Sequence, residues 1–558
     1  MGPRSSSPLA TAVGLGLAAA VLFVLLASVR IEAQGPQYDE LHQAVGAFTW
    51  LGAPPPPIFC RAFHGVCILN MPYSGAIKTN LYGAWLRLTG ARFTLASWRL
   101  FGILLIAAGI VLFCVLAGPA LPPWTMAVFL ALLLTDGTVL LAGRSDWGPV
   151  ALSLTIRLAL LGLWIGSEAG EGPSVRSSMG LGGLVGFAAF EKLSALVLVL
   201  PLAAMVLGSP RRRERRHLLA VVAGFTAGAL PLAAVHLGAL VVRGQPISLG
   251  GGPGMERSPA GFLAFVGDYL ALGQGATVRS FVLGLDGLPR LEILEAAIAA
   301  AVCAAVFAIV TAMAVGREGR TSQPSIRGAG IALVGYGAVC LGLYFLPRPT
   351  WVHHWLLGTP FQYAAVALAL PALSRGIGRQ KALGITLAVL TALWLAMRLP
   401  GLVQTERALA AGRASSSWDP SLAEIGRFAA DREKGTIFIA SDWGVATQIL
   451  AFSGGRPGLV YEPFWRYQGP EQLRTLEEES GARVLYLVRL RDPQRTVPGA
   501  MERIEHDLLD DPRWREVPVE AGAARLRQVF VRKLVLRPEV QAEPASSLAM
   551  PRSTASIK

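Results

Sequence analysis

Eleven apolar runs divide the first 400 residues. They are Leu9–Val29, Trp98–Ala117, Leu121–Ala142, Pro149–Ile165, Leu181–Phe190, Leu193–Leu207, Leu218–Val241, Ala296–Val315, Gly328–Leu346, Trp355–Leu373 and Ala382–Leu399. A helix needs about 20 apolar residues to cross a hydrocarbon core of ~30 Å, and most of these runs reach that length. The fifth and sixth are short, with Glu191 and Lys192 between them. They read as two short helices meeting near the outer face, with one long kinked helix as the alternative. The first run follows Arg4 but exceeds the apolar core of a signal peptide, so it reads as an uncleaved anchor. From about Trp418 the pattern changes to short alternating elements: helices over Leu422–Ala430, Val445–Phe452, Glu471–Glu479 and Met501–Leu509, and strands over Thr436–Ala440, Val484–Val488 and Gln528–Val535. That alternation predicts a small α/β domain.

Composition agrees. Of 558 residues, 53% are hydrophobic and 15% charged, against about 25% charged in soluble domains. A soluble enzyme, a disordered chain and a nucleic-acid-binding module are excluded. The net charge of +14 does not revive the last of these. Residues 1–400 carry 28 basic and 15 acidic groups, and 401–558 carry 22 and 21. The excess therefore lies between apolar runs, where cytoplasmic loops concentrate Lys and Arg. With Met1 inside and eleven spans, three basic clusters share the cytoplasmic side: Arg211–Arg216; Arg317, Arg320 and Arg327; and Arg375, Arg379 and Lys381. Merging the fifth and sixth runs would put the first cluster opposite Arg4 and Arg176. The expected architecture is a polytopic α-helical membrane protein of about 11 transmembrane helices (1–400, with an outer loop over 30–97 carrying interfacial helices). An extracytoplasmic α/β domain (401–537) and a disordered tail (538–558) follow. Abundant Ala, Gly and Arg point to a bacterial inner membrane. Five cysteines form no CxxC pair, which argues against a metal ribbon. Cys60 and Cys67 share the outer loop, and whether they pair is open.

That topology gathers the unusual polar residues on the outer face. Asp39 and Glu40 open the first loop, where a carboxylate is placed to act as a general base; an acidic, solvated loop start is the plainer reading. Lys78 lies near the bilayer surface, positioned for a lipid phosphate or for simple snorkelling. Asp146 follows the third apolar run, where an acid is costly and marks a candidate site, and Arg144 is either a phosphate contact or its ion-pair partner. Lys192 lies where two half-length helices meet, placed to reach a phosphate or to pair with Glu191. His353 and His354 are candidates for a phosphate, a sugar or a metal, or belong with Trp351 and Trp355 to an aromatic belt. Neighbours on a helix point in different directions, which disfavours a two-His metal site.

The order of these signals is more specific than any one of them. An anchor helix precedes Tyr38-Asp39-Glu40. Then come Pro72–Lys78, a helix ending Leu86-Arg87-Leu88-Thr89-Gly90, the turn Arg144–Pro149, and Phe190-Glu191-Lys192 before a Leu-rich run ending at Pro201. Over Leu9–Leu399 this order resembles the GT-C superfamily of membrane glycosyltransferases. It is most similar to the group of polyprenyl- or dolichyl-phosphate-mannose protein mannosyltransferases and aminoarabinose transferases. The resemblance implies a GT-C-like fold, a sugar donor carried on polyprenyl phosphate, transfer on the extracytoplasmic face by inverting displacement, and membrane lipid as a partner. Asp39 would be the catalytic base and Glu40 the second acid of the family's Asp-Glu pair, with Lys78, Arg144, Asp146, Lys192, His353 and His354 around the substrate and its phosphate. No cofactor is demanded, although Asp39, Glu40 and Asp146 are available to share a divalent metal ion. The chain departs from the aminoarabinose-transferase pattern in Asp146-Trp147-Gly148-Pro149, and in Glu191-Lys192-Leu193-Ser194, where those enzymes show a Thr-Lys-Gly-Pro-like run. Sugar and acceptor are therefore left open. Two other classes compete: a transporter or flippase of lipid-linked sugars, and a scaffold whose function lies in the tail.

Overall fold

The computed structural model describes residues 8–538 apart from 57, 169–171, 246, 248–256, 316–323, 347–349 and 376–377. Arg4, Arg317, Arg320 and the tail beyond 538 lie outside the described residues. The chain divides into two compact units, the first ending at Pro420 and the second starting at Ser421.

Every apolar run of the first unit is helical. In chain order the helices are α1 (Pro8–Ala27), α2 (Tyr38–Val45), α3 (Ile77–Thr89), α4 (Leu95–Ala117), α5 (Pro123–Leu134), α6 (Gly137–Ser145), α7 (Val150–Ser167), α8 (Val175–Glu191), α9 (Val199–Gly208) and α10 (Arg215–Arg243). They continue with α11 (Pro259–Leu270), α12 (Ala276–Leu283), α13 (Pro289–Val315), α14 (Pro324–Tyr344), α15 (Val352–Trp355), α16 (Thr359–Ala369), α17 (Ala372–Arg375) and α18 (Arg379–Ala410). Seven of them, α1, α4, α7, α10, α13, α14 and α18, are long and apolar enough to cross a membrane. The pair α5–α6, bent by 63°, makes an eighth if counted as one span. The remaining runs form shorter pieces: α8, a 3₁₀ turn over Leu193–Leu198 leading into α9, and α16.

Each break has a local cause. At the α5–α6 bend, Asp136 turns its side chain onto the backbone N–H groups of Thr138 and Val139, both at 2.9 Å. This caps α6 and ends α5. Around that bend lies a buried polar network. Tyr363 donates to Asp136 at 2.6 Å, and Glu295 accepts from Arg398 at 2.6 Å and from the Trp394 indole at 2.9 Å. At the α8–α9 break Lys192 is extended, and its neighbour Leu193 donates its N–H to the Tyr73 carbonyl at 2.9 Å. α8 packs along α10 at backbone distance. A Cβ on Gly182, Gly186 or Gly224 would fall about 2 Å from a carbonyl oxygen of the facing helix, so only glycine allows the approach.

Loop one adds a three-stranded antiparallel sheet, β1 (Arg61–Phe63), β2 (Val66–Met71) and β3 (Ser74–Gly75), in that order. The structure answers the question the sequence left open about the two loop cysteines: Cys60 and Cys67 are disulfide-bonded. Every residue of α2 except Asp39 is buried. The segment between the apolar runs Leu218–Val241 and Ala296–Val315 contributes α11, α12 and the first turns of α13.

The second unit has a five-stranded mixed sheet. Its elements are α19 (Ser421–Ala430), β4 (Thr436–Ala440), α20 (Ala446–Phe452), β5 (Val460–Tyr461), α21 (Pro470–Ser480), β6 (Val484–Leu490), α22 (Ala500–Leu509), β7 (Trp514–Val517), α23 (Ala521–Ala524) and β8 (Val529–Leu536). The strand order is β5-β4-β6-β8-β7; β4 pairs parallel with β5 and β6, and β8 antiparallel with β6 and β7. All seven elements expected from sequence are present. The additions are β5, β7 and the short α23, too short to show a period. Apolar side chains cover both sheet faces: Phe438, Ala440, Tyr486 and Val488 on one, Ile437, Ile439, Leu485 and Leu487 on the other. Burial on both faces explains why β4 and β6 read as continuous apolar runs.

Candidate active site

The Asp39-Glu40 pair opens α2. Gln37 caps the helix by accepting from the Asp39 N–H at 2.6 Å, and the N-terminal end of a helix dipole favours carboxylates. Adjacent helical residues are turned about 100° apart, and this separates the two acids. Glu40 is buried completely. Both of its oxygens accept from Arg99, at 2.7 Å from Nε and 2.8 Å from Nη2. Arg99 also donates to the carbonyls of Ile31, Gln34 and Gly35. Glu40 and Arg99 thus tie the end of loop one to α4 and hold α2 in place. Asp39, in contrast, keeps 40% of its side chain accessible. It is nonetheless deep among protein atoms, in the wall of a recess. The Trp147 side chain is hydrogen-bonded to it and Lys192 faces it. Burial raises its pKa above the usual carboxylate value, and the Lys192 charge and the Trp147 hydrogen bond oppose that rise.

Lys192 faces the acid because of the break after α8. Ser74 pairs with Lys192 in an isolated β-bridge, so the β2–β3 hairpin of loop one holds the extended residue in place. The Lys192 ammonium and His353 Nε2 both approach Gly148, at 3.1 Å and 3.2 Å from where a Cβ would stand. Gly148 also has φ +63°, a conformation glycine adopts without cost. We expect Gly148→Ala to insert normally and to lose most activity by displacing Lys192 and His353. Retained turnover in membranes holding wild-type amounts of the variant would count against this convergence.

A cleft opens here, lined among others by Gly148, Ser153, Arg157, Lys192, His353 and His354. The two imidazoles lie ring against ring, 4.0 Å between centroids, and His353 packs on Trp147 at 4.7 Å. This corrects the expectation that neighbouring histidines diverge. α15 is a single four-residue turn, and His354 folds back so that its Nδ1 accepts from the Trp351 N–H at 3.1 Å. Burial holds both histidines well below their usual pKa, so they are neutral at physiological pH.

A second cluster adjoins the first. Lys78 and Asp146, both 1% exposed, form an ion pair at 2.5 Å, and the ammonium lies 3.6 Å from the Trp98 ring centre. Asp146 has left-handed backbone (φ 48°). Its other carboxylate oxygen accepts from the Ala151 N–H at 2.7 Å, which ends α6 and starts α7. The Asp146 carbonyl accepts from Gln43 at 3.1 Å, linking this turn to α2. Lys78 therefore has its acid inside the protein. Arg144 is not the partner of Asp146. Its guanidinium donates to the carbonyls of Ala27 and Arg30 and to Gln34 Oε1, anchoring the chain after α1. Among the described residues no three His, Cys, Asp or Glu side chains converge as a metal site. Glu40 is taken up by Arg99 and Asp146 by Lys78.

The structure thus brings Asp39, Lys192, His353 and His354 together, with Lys78 and Asp146 adjoining and Glu40 and Arg144 as braces. Sequence reasoning passed over Trp147, His42 and Arg157. His42, one turn after Asp39, places Nδ1 3.9 Å from the Asp39 carboxylate. Arg157 had a signal: it stands alone within the apolar run Pro149–Ile165, and a charge inside a span marks a site by default.

Its long apolar helices make the chain an integral membrane protein, and its fold has a counterpart among solved structures. The described chain resembles ArnT from Cupriavidus metallidurans in the apo state, with a TM-score of 0.56 and 12% identity over 92% of this chain and 97% of that one. The same protein bound to undecaprenyl phosphate aligns with a TM-score of 0.49 and 12% identity over 93% and 97%. The arabinofuranosyltransferase AftD from Mycobacteria gives 0.48 and 16% over 93% of this chain and 41% of that one. No protein-family model and no curated protein matches the sequence.

Proposed function

We propose that this protein is a membrane glycosyltransferase that moves a sugar from a polyprenyl-phosphate donor to an acceptor on the extracytoplasmic face of a bacterial inner membrane. The observation that carries the reading is Asp39: an accessible carboxylate in a recess, faced by Lys192 beside a cleft, within a GT-C fold. Topology supports it. The start of loop one, the turn at 146–149, the α8–α9 break and the 353–354 segment were assigned to one face by charge alone, and they meet at one site. The positive-inside reading of the basic loops sets the orientation we propose, with an inside N-terminus and an outside C-terminal unit, the shorter helices completing the crossings.

In the reaction Asp39 accepts the proton of the acceptor hydroxyl or amine. The acceptor's lone pair forms the new bond to the anomeric carbon as the bond from that carbon to the phosphate oxygen breaks. Both electrons leave with the phosphate, and Lys192 stabilises the departing charge. A single displacement inverts the anomeric configuration.

The base works only when ionised, so the rate falls as pH drops through the Asp39 pKa. That pKa is raised, so the acid limb of kcat/KM stands above the ordinary aspartate value of about 3.9. Lys192→Gln removes a charge that lowers it, and the limb moves to higher pH while kcat drops. A limb that stays in place would separate Lys192 from the base.

The test of the whole reading uses protein in lipid vesicles with polyprenyl-phosphate sugars and cell-envelope extract as acceptor. Release of free polyprenyl phosphate is followed by mass spectrometry. Turnover is expected; movement of intact donor across the bilayer without cleavage would instead establish a transporter.

A further inference from the structure

Arg157 lies seven residues into α7, roughly 10 Å along the helix axis from Val150 at 1.5 Å per residue. It is 1% exposed, and it lines the cleft that Lys192, His353 and His354 line nearer the end of the helix. Its Nε donates to the Ser153 carbonyl of its own helix at 2.9 Å, and its Nη1 has no hydrogen-bond partner. The other buried arginines are all answered by a side-chain oxygen: Arg99 by Glu40, Arg398 by Glu295, Arg212 by Glu168, Arg144 by Gln34 and Arg279 by Gln404. Among the described residues no carboxylate pairs with Arg157. The phenol of Tyr269, on α11, is the polar side chain facing it. An unpaired buried cation is costly, and more so inside a span. A guanidinium held by one edge, with a buried and unpartnered nitrogen on a residue that lines a cleft, is suited to receive an oxyanion.

We propose that Arg157 binds an oxyanion of the bound donor, a phosphate or a carboxylate, at the deep end of the cleft whose outer end is marked by Lys192. This rests on the glycosyltransferase reading for the identity of the ligand. The cleft then has two cationic ends about two helical turns apart. A sugar carboxylate held at Arg157 leaves the donor phosphate at Lys192, where its charge departs; a lipid phosphate held at Arg157 is the pose in which the carrier docks before transfer at Lys192. If the anion is a carboxylate of the sugar, Arg157 selects acidic sugars; if it is the lipid phosphate, Arg157 anchors every donor.

The experiment is a binding measurement and needs no turnover. Wild type, Arg157→Lys and Arg157→Met, each as the full chain in lipid nanodiscs, are titrated with undecaprenyl phosphate and with undecaprenol. Glucuronate and glucose then compete for the bound lipid. Intrinsic fluorescence reports occupancy, because Trp147 lines the same region. For an anchor of lipid phosphate, Arg157→Met weakens undecaprenyl phosphate at least tenfold and undecaprenol not at all, with Arg157→Lys in between. For a selector of acidic sugars, phosphate affinity is unchanged and Arg157→Met abolishes the advantage of glucuronate over glucose. Either result supports the oxyanion site. Should wild type prefer undecaprenyl phosphate while Arg157→Met changes neither comparison, the Arg157 site is overturned and the donor reading stands. Should wild type show no preference for phosphate over alcohol or for glucuronate over glucose, both fall. Arg157→Lys keeps the charge and guards against a Met variant that fails to fold.

Discussion

Asp39→Asn is expected to abolish sugar transfer, by about 10²–10⁴-fold if the residue acts as a general base, while the protein inserts and binds donor as before. The substitution is nearly isosteric. Asn has no charge to offer Lys192 and no capacity to take a proton at working pH. The fold should tolerate it because Asp39 is the partly exposed member of α2 and makes no ion pair with an arginine, unlike its neighbour. Donor binding should hold because Lys192 remains. The measurement is release of polyprenyl phosphate per folded molecule, with donor affinity alongside. Full turnover in the variant would remove Asp39 from the mechanism.

The second large effect is on stability and lies one residue away. Glu40→Ala strands the Arg99 guanidinium, which is 1% exposed, with two of its five hydrogen bonds and its only carboxylate partner gone. Breaking a buried pair from one side costs about 3–5 kcal/mol. Thermal unfolding in detergent should therefore shift down clearly, and α2 should loosen with it. Activity falls as a consequence, because the carbonyls of Ile31, Gln34 and Gly35 that precede α2 converge on the same arginine. Glu40→Ala combined with Arg99→Met removes both charges and should recover much of the stability. If Glu40→Ala instead leaves unfolding unchanged and removes turnover alone, Glu40 acts in the chemistry and the bracing role is wrong.

These two variants also show where a sequence stops being readable. Asp39 and Glu40 are the same chemistry at adjacent positions, and their own pattern does not tell them apart; only the family resemblance singles out Asp39 as the base. Only the placement of Arg99, at the start of α4, decides which acid is tied and which is open. Arg144 and Lys78 teach the same lesson. Each is a cation near the expected outer face, and each was a candidate for phosphate. One is spent on the carbonyls of Ala27 and Arg30, and the other on Asp146. Lys192 stands facing Asp39 at an interruption, Glu191-Lys192, that was legible in the sequence, and the hairpin of loop one holds that break extended.

The order of apolar runs, their lengths, the split at Glu191-Lys192 and the alternating elements after Trp418 were determined by the sequence by itself, because burial in lipid or in a sheet is a property of each run's own side chains. Tertiary structure alone decided the bend at Asp136, the helices between Arg243 and Glu295, and the pairing of every buried charge. A charge selects its partner by proximity in space across tens or hundreds of residues, and no local pattern records that distance. Arg157 is what that pairing leaves over: the one buried arginine, among the described residues, that the fold leaves without a side-chain oxygen to bind.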